Sequence, residues 1–144
     1  MKILISLLMI IFIFSSCQQA PHKPKHSYWK PFTQQAMDDS IALHRPVIID
    51  FWASWCPNCQ SLDFYVFSRR DIREKLAKVT TLRMDVSNQD DPAIQKILQQ
   101  YSIDGVPTII FIDAHGKEIP NSRITGYEPP EAFSKDLSSV DIFN

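Results

Sequence analysis

The sequence has few glycines and cysteines and no excess of basic residues. Its 144 residues include 3 Gly and 3 Cys, and 15 Lys and Arg are set against 16 Asp and Glu, for a formal net charge of -1 at pH 7. So little glycine excludes a collagenous or low-complexity chain. The lack of surplus positive charge excludes nucleic acid as the main partner, because phosphates need cations to neutralise them. With 44% hydrophobic residues, the chain is expected to fold as one domain.

The sequence also lacks an apolar run long enough to cross a membrane. Its longest run, residues 3–14, is shorter than the roughly 20 residues that a spanning helix needs. The run follows Lys2 and precedes two serines and Cys17, a pattern that predicts an export signal. Small residues directly before a cysteine resemble the lipobox of bacterial lipoproteins, in which that cysteine is acylated and becomes the mature N-terminus. A plain secretory signal cut nearby is the alternative.

These features predict three segments. Residues 1–17 are predicted to be a lipoprotein-type signal peptide that ends at the lipid-modified Cys17, residues 18–28 a flexible polar tether, and residues 29–144 the folded domain. The lipid would anchor the domain to a membrane, in the periplasm or cell envelope. If Cys17 carries the lipid, the other two cysteines form a self-contained pair.

Beyond the tether, extended and helical patterns alternate along the chain. Short β-branched runs predict strands at residues 47–52, 79–86, 108–113 and 118–125, the last at a sheet edge because it contains Pro120. Capped or amphipathic segments predict helices at residues 33–43, 56–67, 71–78, 90–101 and 131–140. The alternation predicts an α/β fold with a central mixed sheet flanked by helices.

The segment WASWCPNCQS places Cys56 and Cys59 at the start of a predicted helix, with only two residues between them. Thiols this close could bind a metal, form a structural disulfide or transfer electrons. So short a loop removes little entropy from the unfolded chain, which disfavours a structural disulfide. A structural zinc site needs four ligands, and no second Cys or His pair has suitable spacing. A helix N-terminus favours the thiolate, so Cys56 is the candidate nucleophile and Cys59 the candidate resolving thiol.

The motif DFWASWCPNC and the later loop GVPT resemble the thioredoxin superfamily. More narrowly, FYVFSRRDIREKL, NQDDPAIQKILQQYSIDGVPTIIFID and RITGYEPPEAF resemble the family of C-terminal periplasmic domains of thiol:disulfide interchange protein DsbD. The resemblance covers residues 47–137 and implies a thioredoxin-like fold. It also implies exchange with protein thiols and disulfides through a redox-active Cys56–Cys59 disulfide, without a nucleotide or metal cofactor. A membrane-embedded electron donor of the DsbD type is the implied partner.

The resemblance also implies roles for two acids near the cysteine pair. An acid at the position of Asp50, six residues before Cys56, is buried in such proteins and assists proton transfer to or from the resolving thiol. Burial would raise its pKa and make it a suitable base; the alternative is an acid at a partly hydrated strand end. Asp63 lies one helical turn after Cys59 and is either a modulator of the pair or a surface residue.

A substrate groove is implied at the GVPT loop. Pro107 resembles the cis-proline of the family, which faces the cysteine pair and leaves the backbone of Val106 free to bind an extended substrate segment. A trans turn proline is the alternative. Gly126 matches a glycine near the family's active site, and Trp52 and Tyr127 are either part of the groove's apolar rim or core residues. The candidate substrate-binding residues are Trp55, Pro57, Val106 and Pro107.

We therefore predict an envelope thiol–disulfide oxidoreductase that reduces protein disulfides. Strongly oxidising relatives commonly have a histidine between the cysteines, whereas Asn58 is uncharged and Gln60 stands where relatives often have a lysine. Ionised Asp50 and Asp63 would oppose a thiolate on Cys56, so the predicted reduction potential is roughly -270 to -200 mV. The alternatives are a disulfide-forming oxidase or isomerase on the same fold, and a non-enzymatic CxxC metal carrier or chaperone module.

Overall fold

The computed structural model describes residues 28–140 and residue 142. The predicted signal peptide, Cys17 and residues 18–27 of the predicted tether lie outside this part of the chain. The strands are β1 (Lys30–Pro31), β2 (Val47–Trp52), β3 (Thr80–Asp85), β4 (Thr108–Ile112) and β5 (Ile124–Thr125). The α-helices are α1 (Gln34–Ala42), α2 (Pro57–Ser61), α3 (Arg70–Leu76), α4 (Pro92–Gln100) and α5 (Pro130–Ser139), and a π-helical turn, Leu62–Val66, continues α2.

The strands form one mixed sheet in the order β1-β3-β2-β4-β5. Strand β3 runs parallel to β1 and β2, and β4 runs antiparallel to β2 and β5. The central strand β2 is apolar and β-branched, as expected for a strand covered on both sides. The mixed sheet with flanking helices confirms the predicted α/β class.

The alternation of side chains along β2 separates two cores. Val47, Ile49 and Phe51 point to the side covered by α1 and α4, here called the α4 face. Ile48 points to the side covered by the π-helical turn, α3 and α5, here called the α5 face. Each fully buried side chain of this size stabilises the fold by about 1.5–3 kcal/mol. The two cores therefore fix β2, and the loop that follows it, in the middle of the molecule.

Helix starts follow local capping chemistry. Thr33 caps α1, where its hydroxyl accepts a hydrogen bond from the N–H of Ala36 at 3.0 Å. Asp91 caps α4 by accepting from the N–H of Ala93 at 2.8 Å, and Pro92 occupies the first helical position. Such side chains satisfy N–H groups that have no partner within the helix. Both caps lie within helices that the sequence predicts.

The predicted strand at residues 118–125 was wrong over most of its length. Only Ile124–Thr125 forms a strand, while Glu118 makes a single bridge to Ile112. Between them the chain turns through Asn121, whose φ of 57° lies in the left-handed region. Asparagine is among the few residues that adopt this conformation readily, because its side chain bonds locally.

Three local features were not predicted. Strand β1 contains Pro31, which lacks an N–H group and is suited to a sheet edge. In the π-helical turn, the N–H of Phe67 donates to the carbonyl of Leu62 at 2.8 Å, five residues earlier. Tyr28, placed in the tether by the prediction, packs on the domain, and its hydroxyl donates to the Phe67 carbonyl at 3.1 Å.

Candidate functional site

Cys56 and Cys59 form a disulfide at the N-terminus of α2. Their Cα atoms are 5.3 Å apart. Cys56 is the N-cap residue, and its Sγ accepts a hydrogen bond from the N–H of Cys59 at 3.1 Å. Pro57 follows in the first turn, where its missing N–H costs no hydrogen bond. In this disulfide form Cys56 is 3% exposed and Cys59 1%, so the two residues differ little in solvent exposure.

The loop before Cys56 is held against the end of β3. The Trp55 indole N–H donates to the Ser87 carbonyl at 3.0 Å, and the Ser54 N–H donates to the Ser87 hydroxyl at 2.8 Å. The Ser87 N–H in turn donates to Asp85 at 2.8 Å. The Gln60 side chain, which takes the place of a common lysine, donates to the Ser54 carbonyl at 3.0 Å. These bonds hold an exposed tryptophan ring next to the cysteine pair.

Asp50 lies on the central strand and is 1% exposed. The structure therefore excludes the alternative of a partly hydrated strand end. Its partner across β3 in the parallel register is Arg83, and the Arg83 Nε lies 2.8 Å from Asp50 Oδ2. Burial raises the pKa of Asp50 to about 7, and the attraction of Arg83 limits this rise. Asp50 is thus a buried acid that changes protonation near neutral pH.

Asp63 shares Arg83 with Asp50. The Arg83 Nη2 lies 2.9 Å from Asp63 Oδ1, and the guanidinium also lies over the Trp52 ring, 4.5 Å from its centroid. The Arg83 side chain is 15% exposed and that of Asp63 37%. Asp63 is therefore joined to the buried acid through an ion pair, and Trp52 packs under the arginine.

Arg83 was missed by the sequence reasoning. The segment TTLRMD does contain a signal, because an arginine interrupts a predicted strand as Asp50 interrupts β2. Which residue of β3 stands opposite Asp50 depends on the pairing of two strands whose residues are 33 positions apart in the register. A single sequence does not give that register.

The loop after α4 forms the other side of the site. The Val106–Pro107 peptide bond is cis. Val106 packs against the apolar cluster that contains Cys56 and Cys59. The N–H of Gly126 donates to the Pro107 carbonyl at 2.9 Å. Gly126 has a φ of 80°, a conformation that favours glycine.

A surface cavity of about 480 Å³ adjoins this loop. The polar side chains in its lining include Asp104 and Arg123, and Tyr127 is exposed directly after Gly126. The residues that line the cavity are Ser102, Asp104, Gly105, Val106, Pro107, Thr108, Arg123, Thr125 and Gly126. The predicted substrate-binding residues Val106 and Pro107 thus form part of a concave surface.

Residues 28–140 and 142 contain neither a candidate metal site nor a candidate membrane span. These residues contain no group of three or more His, Cys, Asp or Glu side chains placed to hold a metal ion. They also contain no helix that is long and apolar enough to cross a bilayer.

Curated proteins that match the chain include thiol:disulfide interchange proteins DsbD. The protein from Photorhabdus laumondii subsp. laumondii is 34% identical over 112 residues, which cover 78% of this chain and 19% of that protein. The protein from Escherichia coli is 34% identical over 96 residues, which cover 67% of this chain and 17% of that protein. The chain therefore spans less than a fifth of the length of these two relatives.

Solved structures share the fold. The C-terminal domain of Neisseria meningitidis DsbD in the reduced form gives a TM-score of 0.64 at 23% identity and covers 72% of this chain and 90% of that one. A thioredoxin from Thermus thermophilus gives 0.63 at 28% identity and covers 76% of this chain and 83% of that one. These neighbours confirm the predicted thioredoxin-like fold. Since a profile of the thioredoxin-like domain also matches residues 33–140, this chain belongs to the thioredoxin-like domain family and is similar to DsbD.

Proposed function

We propose that this domain is a thiol–disulfide oxidoreductase that reduces protein disulfides in the cell envelope. The Cys56–Cys59 disulfide at a helix N-terminus, in a member of the thioredoxin-like family, is the observation that carries the proposal. The family match and the similarity to DsbD support thiol–disulfide exchange as the chemistry. The direction of electron transfer and the location are the further parts of the proposal.

The proposed reaction has two exchange steps. In the reduced domain, the Cys56 thiolate attacks a substrate disulfide. A mixed disulfide forms, the substrate S–S bond breaks, and the first substrate sulfur leaves as a thiolate that takes a proton from water. The Cys59 thiol then loses its proton, and its sulfur attacks Cys56 Sγ. The second substrate sulfur leaves, so two electrons have passed from the domain to the substrate.

Asp50 is proposed to accept the Cys59 proton. A base is most effective when its pKa is near the working pH, and burial gives Asp50 a pKa of about 7. Asp50 Oδ1 is buried and accepts no hydrogen bond from the described residues, which leaves this oxygen free to take a proton.

Substrates are proposed to bind along the surface between the cysteine pair and the cavity. Trp55 is exposed and held by its indole N–H, and Pro57 follows Cys56 directly. Val106 and Pro107 line the cavity. An extended protein segment bound by backbone groups of Val106 would place its disulfide at Cys56.

Continued reduction requires a supply of two electrons per cycle. We propose a membrane-embedded transporter of the DsbD type as the donor, because this chain is similar to DsbD. The similar region is less than a fifth of the length of those proteins. The donor would re-reduce the Cys56–Cys59 disulfide by the reverse exchange.

The proposed location rests on the sequence before Tyr28. Residues 1–17 are proposed to be a lipoprotein signal that ends at acylated Cys17, followed by a tether that leads into the domain. Mass spectrometry of the membrane-extracted protein should show an acylated N-terminal cysteine. Cys17→Ser should abolish this modification and leave the activity of the purified domain unchanged. An unmodified mature N-terminus beyond Cys17 would contradict the anchor.

A trapping experiment in cells tests the function. Cys59→Ala should leave Cys56 able to attack but unable to be released, so mixed disulfides with envelope proteins should accumulate. Cys56→Ala is the matched control and should trap almost nothing. Equal trapping by both variants would overturn the roles. The purified wild-type domain should also catalyse reduction of insulin by dithiothreitol, which a metal carrier or chaperone module would not do.

A further inference from the structure

One guanidinium group connects two carboxylates that lie on different elements. Arg83 on β3 reaches Asp50 on β2 through Nε, at 2.8 Å, and Asp63 in the π-helical turn through Nη2, at 2.9 Å. Its position is further fixed by the Trp52 ring below it. The rigid fork of an arginine can bind two such partners at once, which a lysine ammonium at the end of a flexible stem does less well.

The charges of Asp50, Arg83 and Asp63 explain how both carboxylates affect the protonation of Asp50. An arginine paired with Asp50 favours the ionised form of that acid, against the effect of burial. Asp63 offsets part of the guanidinium charge, so the group as a whole changes from neutral to singly negative when Asp50 loses its proton. Asp63 is partly exposed, whereas Asp50 is fully buried. Arg83 and Asp63 therefore act on the protonation of Asp50 in opposite directions.

In the described part of the chain, Tyr28, Ile109 and the disulfide-bonded cysteines add no charge near Asp50 and Arg83 in this form. Tyr28, which precedes β1, interacts with Asp63 and Arg83, and burial raises the pKa of its hydroxyl well above the ordinary value, so it stays neutral. On β4 the neighbour of Asp50 in the register is the apolar Ile109. Cys56 and Cys59 are joined as a disulfide in this form. Asp63 is thus the one titratable acid among these neighbours.

We infer that Arg83 is a positioning residue shared by the two carboxylates, and that Asp63 acts through it to set how readily Asp50 gives up and accepts a proton. The predicted effect on the titration of Asp50 does not depend on the proposed function. Only the predicted effect on the rate of insulin reduction rests on it. The arginine holds the Asp50 carboxylate in place, and Asp63 offsets part of the attraction by which that arginine favours the ionised form of Asp50.

Titration of Asp50 in the oxidised domain tests this without any catalytic assay. Carboxyl carbons are followed by NMR from pH 4 to pH 10, and Asp50→Asn identifies the Asp50 signal. Asp63→Asn should lower the Asp50 midpoint and Arg83→Gln should raise it, each by about 1 pH unit. Glu74→Gln, which removes a carboxylate from the exposed Arg70–Glu74 pair, is the control and should leave the midpoint unchanged.

Conservative variants separate positioning from folding. Arg83→Lys keeps the cation but not the fork, so its midpoint should lie between those of the wild type and Arg83→Gln. If Arg83→Gln does not fold, Asp63→Asn and Arg83→Lys still decide the question. Shifts of Asp63→Asn and Arg83→Gln in the same direction, or no shift in Asp63→Asn, would overturn the inference.

The pH profile of insulin reduction distinguishes this inference from the proposed function. In an active domain, the rising limb of the profile should move with the titration midpoint in each variant. An inactive wild-type domain whose variants titrate in opposite directions would refute the proposed function and support the inference. An active domain without opposite shifts would support the function and refute the inference.

Discussion

The same strands place different kinds of side chain on the two faces of the sheet. On the α4 face, Ile49 and Leu82 pack in an apolar cluster. On the α5 face, the neighbouring positions of these strands hold Ile48, but also Asp50 and Arg83. A buried charge contributes less to stability than an apolar side chain of the same size. The α5 face is therefore expected to be less stable than an all-apolar face. In return it holds Asp50 close to the carboxyl end of β2, where the loop to the cysteine pair begins.

The largest expected loss of stability comes from the apolar positions, and it should be the same on both faces. Phe51 on the α4 face and Phe111 on the α5 face are both fully buried. Replacement of either by Ala should lower the free energy of unfolding by about 3–5 kcal/mol, because a cavity is left behind. Urea unfolding of the two variants measures this. A loss below about 1 kcal/mol for either would mean that its face is not a close-packed core.

Replacement of the buried acid Asp50 should raise the free energy of unfolding, and it should do so only at high pH. The pKa of Asp50 is about 7 in the folded domain, against 3.8 ordinarily. The folded state therefore binds more protons between these values, so the wild type should lose stability as the pH rises from 4 to 7. Asp50→Asn should remove this loss and be more stable at pH 8 by up to about 4 kcal/mol, with little difference at pH 4.

Urea unfolding of the wild type and Asp50→Asn at pH 4 and pH 8 checks this prediction. The same variant should reduce insulin more slowly, because the proposed base is lost. Parallel stability profiles for the two proteins would show that Asp50 keeps an ordinary pKa. That result would also remove the reason for the difference between the two faces.

A helix cap on the α4 face should have a smaller effect. Thr33→Ala removes the hydroxyl that accepts from the Ala36 N–H at the start of α1, and should cost about 1 kcal/mol. Thr33→Ser keeps the hydroxyl and is the control. Urea unfolding should place the serine variant close to the wild type, and equal losses for both variants would show that the cap contributes nothing.

The smallest effect is expected where charges are exposed. Arg70 and Glu74 on α3 pair at 2.7 Å, and both side chains are mostly in water. Glu74→Gln should change the free energy of unfolding by less than about 0.5 kcal/mol, since water and salt screen such pairs. A loss as large as that of a core variant would mean that the contrast between buried and exposed charge does not hold in this domain.

Most of the fold could be predicted from local patterns. The β-branched runs of β2 and β4 and the capped start of α4 are properties of short segments, which a single sequence shows directly. Strand β1 has two residues and β5 has two. Both depend on pairing with a neighbour, β1 with β3 and β5 with β4, so the sequence alone predicted neither β1 nor the bounds of β5.

The site was predicted unevenly for a similar reason. Cys56, Cys59 and Pro107 belong to motifs that are contiguous in the sequence. Asp50 could be named because it interrupts an apolar strand at a fixed distance from Cys56. Arg83 depends on the register between two strands, which is set by tertiary packing. The pairing of the buried acid with Arg83, and through Arg83 with Asp63, could be read only from the folded structure.

The reduction potential of the Cys56–Cys59 pair tests the central claim most directly. The Cys56 sulfur accepts one backbone N–H bond at 3.1 Å, and the residues between the cysteines are uncharged, so the thiolate is only modestly stabilised. Equilibration of the purified domain with glutathione should give roughly -270 to -200 mV, a value typical of reductants. A potential above about -150 mV would place the pair among the oxidants and contradict the proposed direction of electron transfer.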